Sequence, residues 1–220
     1  MGKLIVIDGL DGSGKHTQTL LLQERLEREG IDCRMIQFPT YGKSSALIEM
    51  YLDGELSASA DGVNAYAASS FYAVDRVASY LGDWKKDYDG GKVILCDRYT
   101  TSNAIHQLSK VPPRDRDAYL TWLREFEYEK LGLPRPSAVV FLKMPLDVSR
   151  ALITERYCGD ESRRDLHEKD MAYLEKCFEA AQYAGEKLGF LNVDCTENGK
   201  LLTREAIAEK IWRLVKKEIV

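Results

Sequence analysis

The chain has 220 residues, 45% of them hydrophobic and 30% charged, and a formal net charge of −4. That is enough chain for one substantial core, and the charge balance excludes the global basic field that coats nucleic acid, so no nucleic-acid polymer is expected as a partner. No apolar run approaches a membrane span, and Met1 stands almost directly before the first strand candidate, so neither a membrane partner nor a removable leader is expected.

Residues 4–7 form an apolar strand candidate, followed by a glycine-rich turn and a helix over 15–29, with Gly30 as its stop. Residues 33–38 read as a second strand closed by Pro39. Helical pattern resumes over 44–52 and, at greater length, over 61–86, until Gly90-Gly91 breaks the chain. Three further apolar runs follow, at 93–96, at 138–142 after the turn-rich 132–136, and at 190–193 after Gly189. Residues 203–220 have helical periodicity. Strands apolar on both faces and separated by helices predict an α/β fold, a parallel sheet covered on both sides with right-handed crossovers. No repeat, low-complexity tract or linker divides the chain, so 1–220 is expected to be a single domain. The five cysteines, Cys33, Cys96, Cys158, Cys177 and Cys195, are odd in number and contain no C-x-x-C pair. Reduced thiols in a cytoplasm are expected, with Cys33, Cys96 and Cys195 packing as small hydrophobes.

Gly9-Leu10-Asp11-Gly12-Ser13-Gly14-Lys15-His16-Thr17 is close to the phosphate-loop pattern G-x-x-x-x-G-K-[ST]. Its glycines let successive backbone N–H groups point at phosphate oxygens, the following helix offers its positive end, and Lys15 reaches the β- and γ-phosphates. The spacing alone arises by chance in about one chain of this length in sixteen, so context decides: a strand before, a helix after and a third glycine inside. Gly9, Asp11, Gly12, Ser13, Gly14, Lys15, His16 and Thr17 are the expected ATP-binding residues. His16 stands where a Ser or Thr hydroxyl binds Mg²⁺. Thr17 does not replace it, because one step along a helix turns a side chain by about 100°.

The third strand candidate runs into Asp97-Arg98-Tyr99. An Asp at the C-terminal edge of a strand beside a phosphate loop is placed for Mg²⁺, and Arg98 puts a guanidinium among phosphates. The alternative is a structural Asp–Arg pair capping the strand.

Four segments together carry a family likeness. The phosphate loop ends in Lys15-His16-Thr17-Gln18; Phe38-Pro39 closes the second strand; Tyr72-Ala73-Val74-Asp75-Arg76 has the form aromatic-x-x-x-Arg; and Asp97-Arg98-Tyr99 is followed by Ser102-Asn103-Ala104. Over nearly its whole length the chain resembles the thymidylate kinase (dTMP kinase) family. The resemblance implies a five-stranded parallel sheet of the P-loop nucleoside monophosphate kinase type, a mobile lid, a homodimer, and transfer of phosphate from ATP·Mg²⁺ to dTMP. It implies an acceptor region at about 38–86 that includes Phe38 and Pro39. By that resemblance Arg98 would hold the dTMP phosphate, Asp11 would sit near that phosphate and the metal, and Tyr72 would stack on thymine. Arg76 would donate to a thymine carbonyl, and Asn103 and His106 would line the sugar. Otherwise Tyr72 is a core aromatic and Arg76 a surface arginine paired within its own helix. Where the family often has an arginine after Phe-Pro, this chain has Thr40, Tyr41 and Gly42, with Lys43 as the nearest stand-in. His106 occupies a position usually aromatic in the family.

Phosphoryl transfer needs positioned positive charge on the moving group. The phosphate loop has no arginine inside it, whereas the irregular stretch between two helices, a lid at about 156–165, is bracketed by Arg156, Arg163 and Arg164. With Lys15 and Arg98, these arginines are the expected catalytic residues, and Asp97 and Asp11 the expected metal ligands. The alternative for the lid is a solvated basic loop balanced by Asp160, Glu161 and Asp165. Two other functions stay open: a P-loop kinase for another nucleoside or nucleotide, and a nucleotide-binding switch or degenerate scaffold, motivated by His16.

Overall fold

Five strands, β1 (Lys3–Gly9), β2 (Cys33–Gln37), β3 (Val93–Asp97), β4 (Ala138–Lys143) and β5 (Leu191–Asp194), form one sheet in the order β2-β3-β1-β4-β5. Every neighbouring pair is parallel. This is a computed structural model, and it describes residues 1–57, 59, 61–156, 158, 160 and 171–219. The expected strands are those observed, to within one or two residues at their ends. A short antiparallel pair, β6 (Thr196–Glu197) and β7 (Lys200–Leu201), escaped the sequence reading. Two-residue strands carry no periodicity to detect.

Alternation along the central strands sends side chains to opposite faces. Ile5, Ile7, Val93 and Leu95 pack with Leu22 and Leu26 of α1 (Lys15–Arg28). The same cluster takes in Ile207, Ile211, Trp212 and Val215, which lie on the C-terminal helix 204–219. Leu4, Val6, Ile94 and Cys96 face the other way, onto Tyr80, Trp84, Tyr88 and Tyr99. Helices cover both faces.

The expected helix over 44–52 is a 3₁₀ turn at Lys43–Ser45 followed by α2 (Ala46–Leu52). The long helix expected over 61–86 starts later and is interrupted. Asn64 Oδ1 accepts from Ala67 N at 2.9 Å and caps α3 (Ala65–Ser79). A widened π turn, Tyr80–Trp84, then leads into α4 (Lys85–Asp89). Buried Tyr80, Trp84 and Tyr88 are spaced by four residues, which drifts about 40° per step on an α-helix. The wider turn takes up that drift and keeps all three rings on the sheet.

Next come α5 (Thr100–His106), α6 (Arg116–Arg124) with a second π turn at Glu125–Lys130, α7 (Leu146–Arg156), α8 (Met171–Leu188) and α9 (Arg204–Ile219). No helix among the described residues is long and apolar enough to cross a membrane. All five cysteines carry free thiols; Cys96, Cys177 and Cys195 are buried, whereas Cys33 is half-buried.

Register brings the business ends of three strands together. Ile7 of β1 is level with Asp97 of β3 and with Val140 of β4. Arg98 N donates to Ile7 O at 3.1 Å and Phe38 N to Asp97 O at 3.0 Å. The C-terminal edge of the sheet, where the chain leaves β1 and β3 in different directions, is where α/β folds bind ligands.

Candidate active site

Between β1 and α1 the chain makes a tight glycine loop. Gly14 caps α1 with φ 83°, a conformation a side chain disfavours. Gly12, at φ 75°, is needed for closeness as well: a Cβ there would lie 2.5 Å from Ser149 O. Ser149 Oγ, from α7, donates to Asp11 O. The first turn of α1 has no acidic residue to compete for its N-terminus. Lys15 is 7% exposed and donates from Nζ to Leu10 O at 2.8 Å. Burial and the nearby Arg98 push its ammonium down to about 8, against the pull of Asp11, Asp97 and Asp8.

Arg98 stands at the junction, with φ 66°. Its Nη2 donates to Asp11 Oδ1, and its Nη1 lies 3.0 Å from His106 Nε2. Burial opposes its charge, but Asp11, Asp8 and Asp97 outweigh that and hold the guanidinium more firmly protonated than usual. Asp8 beneath it is fully buried and accepts from Gly9 N, Thr101 Oγ1 and Ser102 Oγ at 2.8–3.0 Å. Burial pushes its carboxyl up, while Arg98, the Gly9 N–H, Lys15 and Thr101 pull it back.

Two cavities meet here. One, of about 1090 Å³, is lined by Gly12, Gly14, Lys15, His16, Thr17, Asp97 and Arg156. The other, of about 540 Å³, is lined by Tyr72 and Arg76 of α3 and by Tyr99, Ser102, Asn103, His106 and Gln107. Asp11, Phe38, Pro39, Tyr41 and Arg98 belong to both walls.

The wall of the smaller cavity is held from behind. Arg76 is 1% exposed, and its Nε and Nη2 donate to Glu127 at 2.6 and 2.7 Å. That corrects the within-helix partner considered for it: the carboxylate comes from 51 residues away. Asn103 Nδ2 donates to the same Glu127 at 3.1 Å and to Ser69 O at 3.3 Å. Asp75 accepts from Thr40 N and Oγ1 at 2.8 and 2.5 Å and from Ser44 Oγ at 2.6 Å, pinning the turn after Pro39. Lys43, the expected stand-in for an arginine, is exposed and lines neither cavity. Its 3₁₀ turn is held by Ser45 Oγ on Gly42 O, which leaves the lysine outside.

The sequence model of the family described as thymidylate kinase matches residues 7–207. The chain belongs to the thymidylate kinase family. It is 30% identical over 172 residues to the thymidylate kinase of Mycobacterium tuberculosis, covering 76% of this chain and 78% of that one. It is 31% identical over 151 residues to a probable thymidylate kinase of Pyrococcus abyssi, covering 67% and 68%. A solved structure of thymidylate kinase from Candida albicans superposes with a TM-score of 0.71 at 22% identity, covering all of this chain and 94% of that one, a likeness of fold.

Within this family member, most residues expected at the site meet at the two cavities: Asp11, Gly12, Gly14, Lys15, His16, Thr17, Phe38, Pro39, Tyr72, Arg76, Asp97, Arg98, Asn103, His106 and Arg156. Gly9 and Ser13 lie in the loop beneath, and Ser13 Oγ is buried with no hydrogen-bond partner among the described residues. Arg163 and Arg164 lie outside the described residues, as does most of the expected lid. The sequence reading missed Tyr41 and Gln107 on the cavity walls and, behind them, Asp8, Asp75, Glu127 and Ser149. An acid ending an apolar strand was a signal for Asp8; Asp75, Glu127 and Ser149 act across long sequence separations.

No cluster of three or more His, Cys, Asp or Glu side chains among the described residues is placed to hold a metal ion. Asp97 Oδ1 is buried with no hydrogen-bond partner among the described residues, and His16 Nδ1 lies 3.4 Å from Oδ2. One or two carboxylates beside a phosphate loop fit Mg²⁺, which takes its other ligands from substrate phosphates and water.

Proposed function

We propose that this chain transfers the γ-phosphoryl group of ATP to dTMP, giving ADP and dTDP. The observation that carries the reading is the shared wall: a phosphate-loop cavity opens onto an acceptor cavity, with Arg98 and Asp11 at the boundary. A donor phosphate and an acceptor phosphate then meet across one guanidinium, which is the arrangement in-line transfer needs.

In this reading the loop over 9–17 holds ATP, with Lys15 on the β- and γ-phosphates. Arg98 holds the acceptor phosphate. Tyr72 stacks on the base, Arg76 donates to a base carbonyl, and Asn103 and His106 line the sugar. Arg156, with Arg163 and Arg164, brings positive charge to the moving group from a lid at about 156–165, a part of the single 1–220 domain. Mg²⁺ bound to the phosphates and to Asp97 or Asp11 would neutralise charge on them. Five free thiols support a cytoplasmic enzyme. The family resemblance supports a homodimer, and Val74 and Leu81, 55% and 64% exposed, are apolar residues such an interface would cover.

The test is a steady-state panel of dTMP, dUMP, dGMP, UMP and thymidine with ATP·Mg²⁺. dTMP should lead by about tenfold or more in kcat/KM, roughly 1.4 kcal/mol. UMP or thymidine outperforming dTMP overturns the reading.

A further inference from the structure

Glu127 lies outside every motif of the sequence, on the widened turn Glu125–Lys130, and is fully buried. Besides Arg76 and Asn103 it accepts from Thr100 Oγ1 at 3.1 Å. One carboxylate therefore ties α3 to α5 behind the acceptor cavity, and two of its three partner residues line that cavity. Arg76 is thereby clamped along its Nε–Nη2 edge, and its Nη1 reaches Tyr99 O at 3.4 Å.

Charge makes the arrangement consequential. A guanidinium keeps its proton, so an unpaired Arg76 would be a buried cation, which is costly and strongly anion-binding. Arg98 lies on the wall shared with the phosphate-loop cavity, whereas Arg76 lines the acceptor cavity alone. With Glu127 present the Arg76 end is a neutral pair that still presents N–H groups. Without it the cavity would hold a second positive centre competing for phosphate.

We propose that Glu127 is a positioning residue that sets the polarity of the acceptor cavity: by pairing Arg76 and holding Asn103 it makes that end a neutral hydrogen-bonding wall for the base and directs the acceptor phosphate to Arg98. This deepens the dTMP kinase reading and rests on it. The identity of the base partner matters less than the sign of the charge it meets.

The test is E127Q in the full chain, with inorganic phosphate as the probe. The KM for dTMP should rise by about tenfold or more, while kcat and the KM for ATP change by less than about threefold. Phosphate should compete with dTMP at least about tenfold more tightly than in wild type. R76M/E127Q, with the cation removed, should lose that added sensitivity. E127D keeps the charge on a shorter stem; it should raise the KM for dTMP without new phosphate inhibition, and it carries the test if E127Q does not fold. An unchanged KM for dTMP in E127Q, or in E127D where that variant stands in, overturns the proposal. So does phosphate inhibition of E127Q no tighter than that of wild type. Wild type failing to phosphorylate dTMP would sink the functional reading instead. Calorimetric phosphate binding to E127Q and wild type then still decides the charge argument, tighter binding by E127Q supporting it and equal binding overturning it.

Discussion

Arg98 Nη1 lies 3.0 Å from His106 Nε2, on the far side of the guanidinium from the bond to Asp11. A guanidinium only donates, so Nε2 accepts and the ring proton sits on Nδ1. One side chain thus joins the phosphate loop, the edge of β3 and the end of α5. Arg98→Lys supplies a point charge that does not span both partners. It should lower kcat/KM for dTMP by at least about a hundredfold, roughly 2.7 kcal/mol. His106→Phe keeps the ring without the acceptor and should cost less than about tenfold, mainly in KM. A lysine variant close to wild type would mean Arg98 is a structural pair.

The depressed Lys15 ammonium has a proton-linked consequence. Its folded pKa, about 8, lies below the ordinary 10.5, so between those values the folded chain binds fewer protons than the unfolded one. The group's penalty on stability is therefore full below about pH 8 and is relieved as pH rises toward 10.5. Phosphate oxygens favour the charged form and push the pKa back up. ATP binding at about pH 8.5 should then take up roughly 0.5 to 0.8 of a proton, read from calorimetric heats in buffers of different ionisation enthalpy. Lys15→Arg, charged throughout, should abolish the uptake. Wild type binding ATP with no proton exchange refutes the assignment.

The His16 side chain is 59% exposed, and its Nδ1 lies 3.4 Å from Asp97 Oδ2. A neutral imidazole is a poor partner for Mg²⁺, which prefers oxygen. His16→Ser should therefore saturate at lower Mg²⁺ in kinase assays than wild type. Unchanged or poorer saturation counts against the idea.

Arg156→Ala should lower kcat by about tenfold or more with the KM for dTMP within about twofold, because its charge is needed by the moving group alone. Turnover at the wild-type level in Arg156→Ala, Arg163→Ala and Arg164→Ala alike would dismiss the lid as the source of charge.

Much of this was legible in the residues. An apolar strand running into Gly9–Thr17, and another ending in Asp97-Arg98, announce their geometry locally, because strand, turn and helix start are all sequence-adjacent. What stayed hidden depends on tertiary approach. Glu127 reaches Arg76 across 51 residues, and Ser149 reaches Asp11 across 138. Glu127 also sits on a π turn, where helical periodicity fails as a guide to facing. Six of the seven residues of α5 are buried although most of them are polar, so the sequence shows no apolar stripe to mark it as a helix. The helix expected over 61–86 failed at Tyr80–Trp84 because the aromatic spacing there favours a wider turn.

Gly12 is pressed against Ser149 near the start of α7, and Arg156 closes the same helix at the phosphate-loop cavity. Seven residues are about 10 Å of rise and within about 20° of two full turns, so both lie on one side of α7. The helix acts as a ruler standing on the loop that grips the nucleotide. The reach of Arg156 toward the phosphate-loop cavity is measured from the loop itself. Adding a single residue between Ala151 and Glu155 would leave the loop's footing intact yet swing Arg156 about 100° away from it.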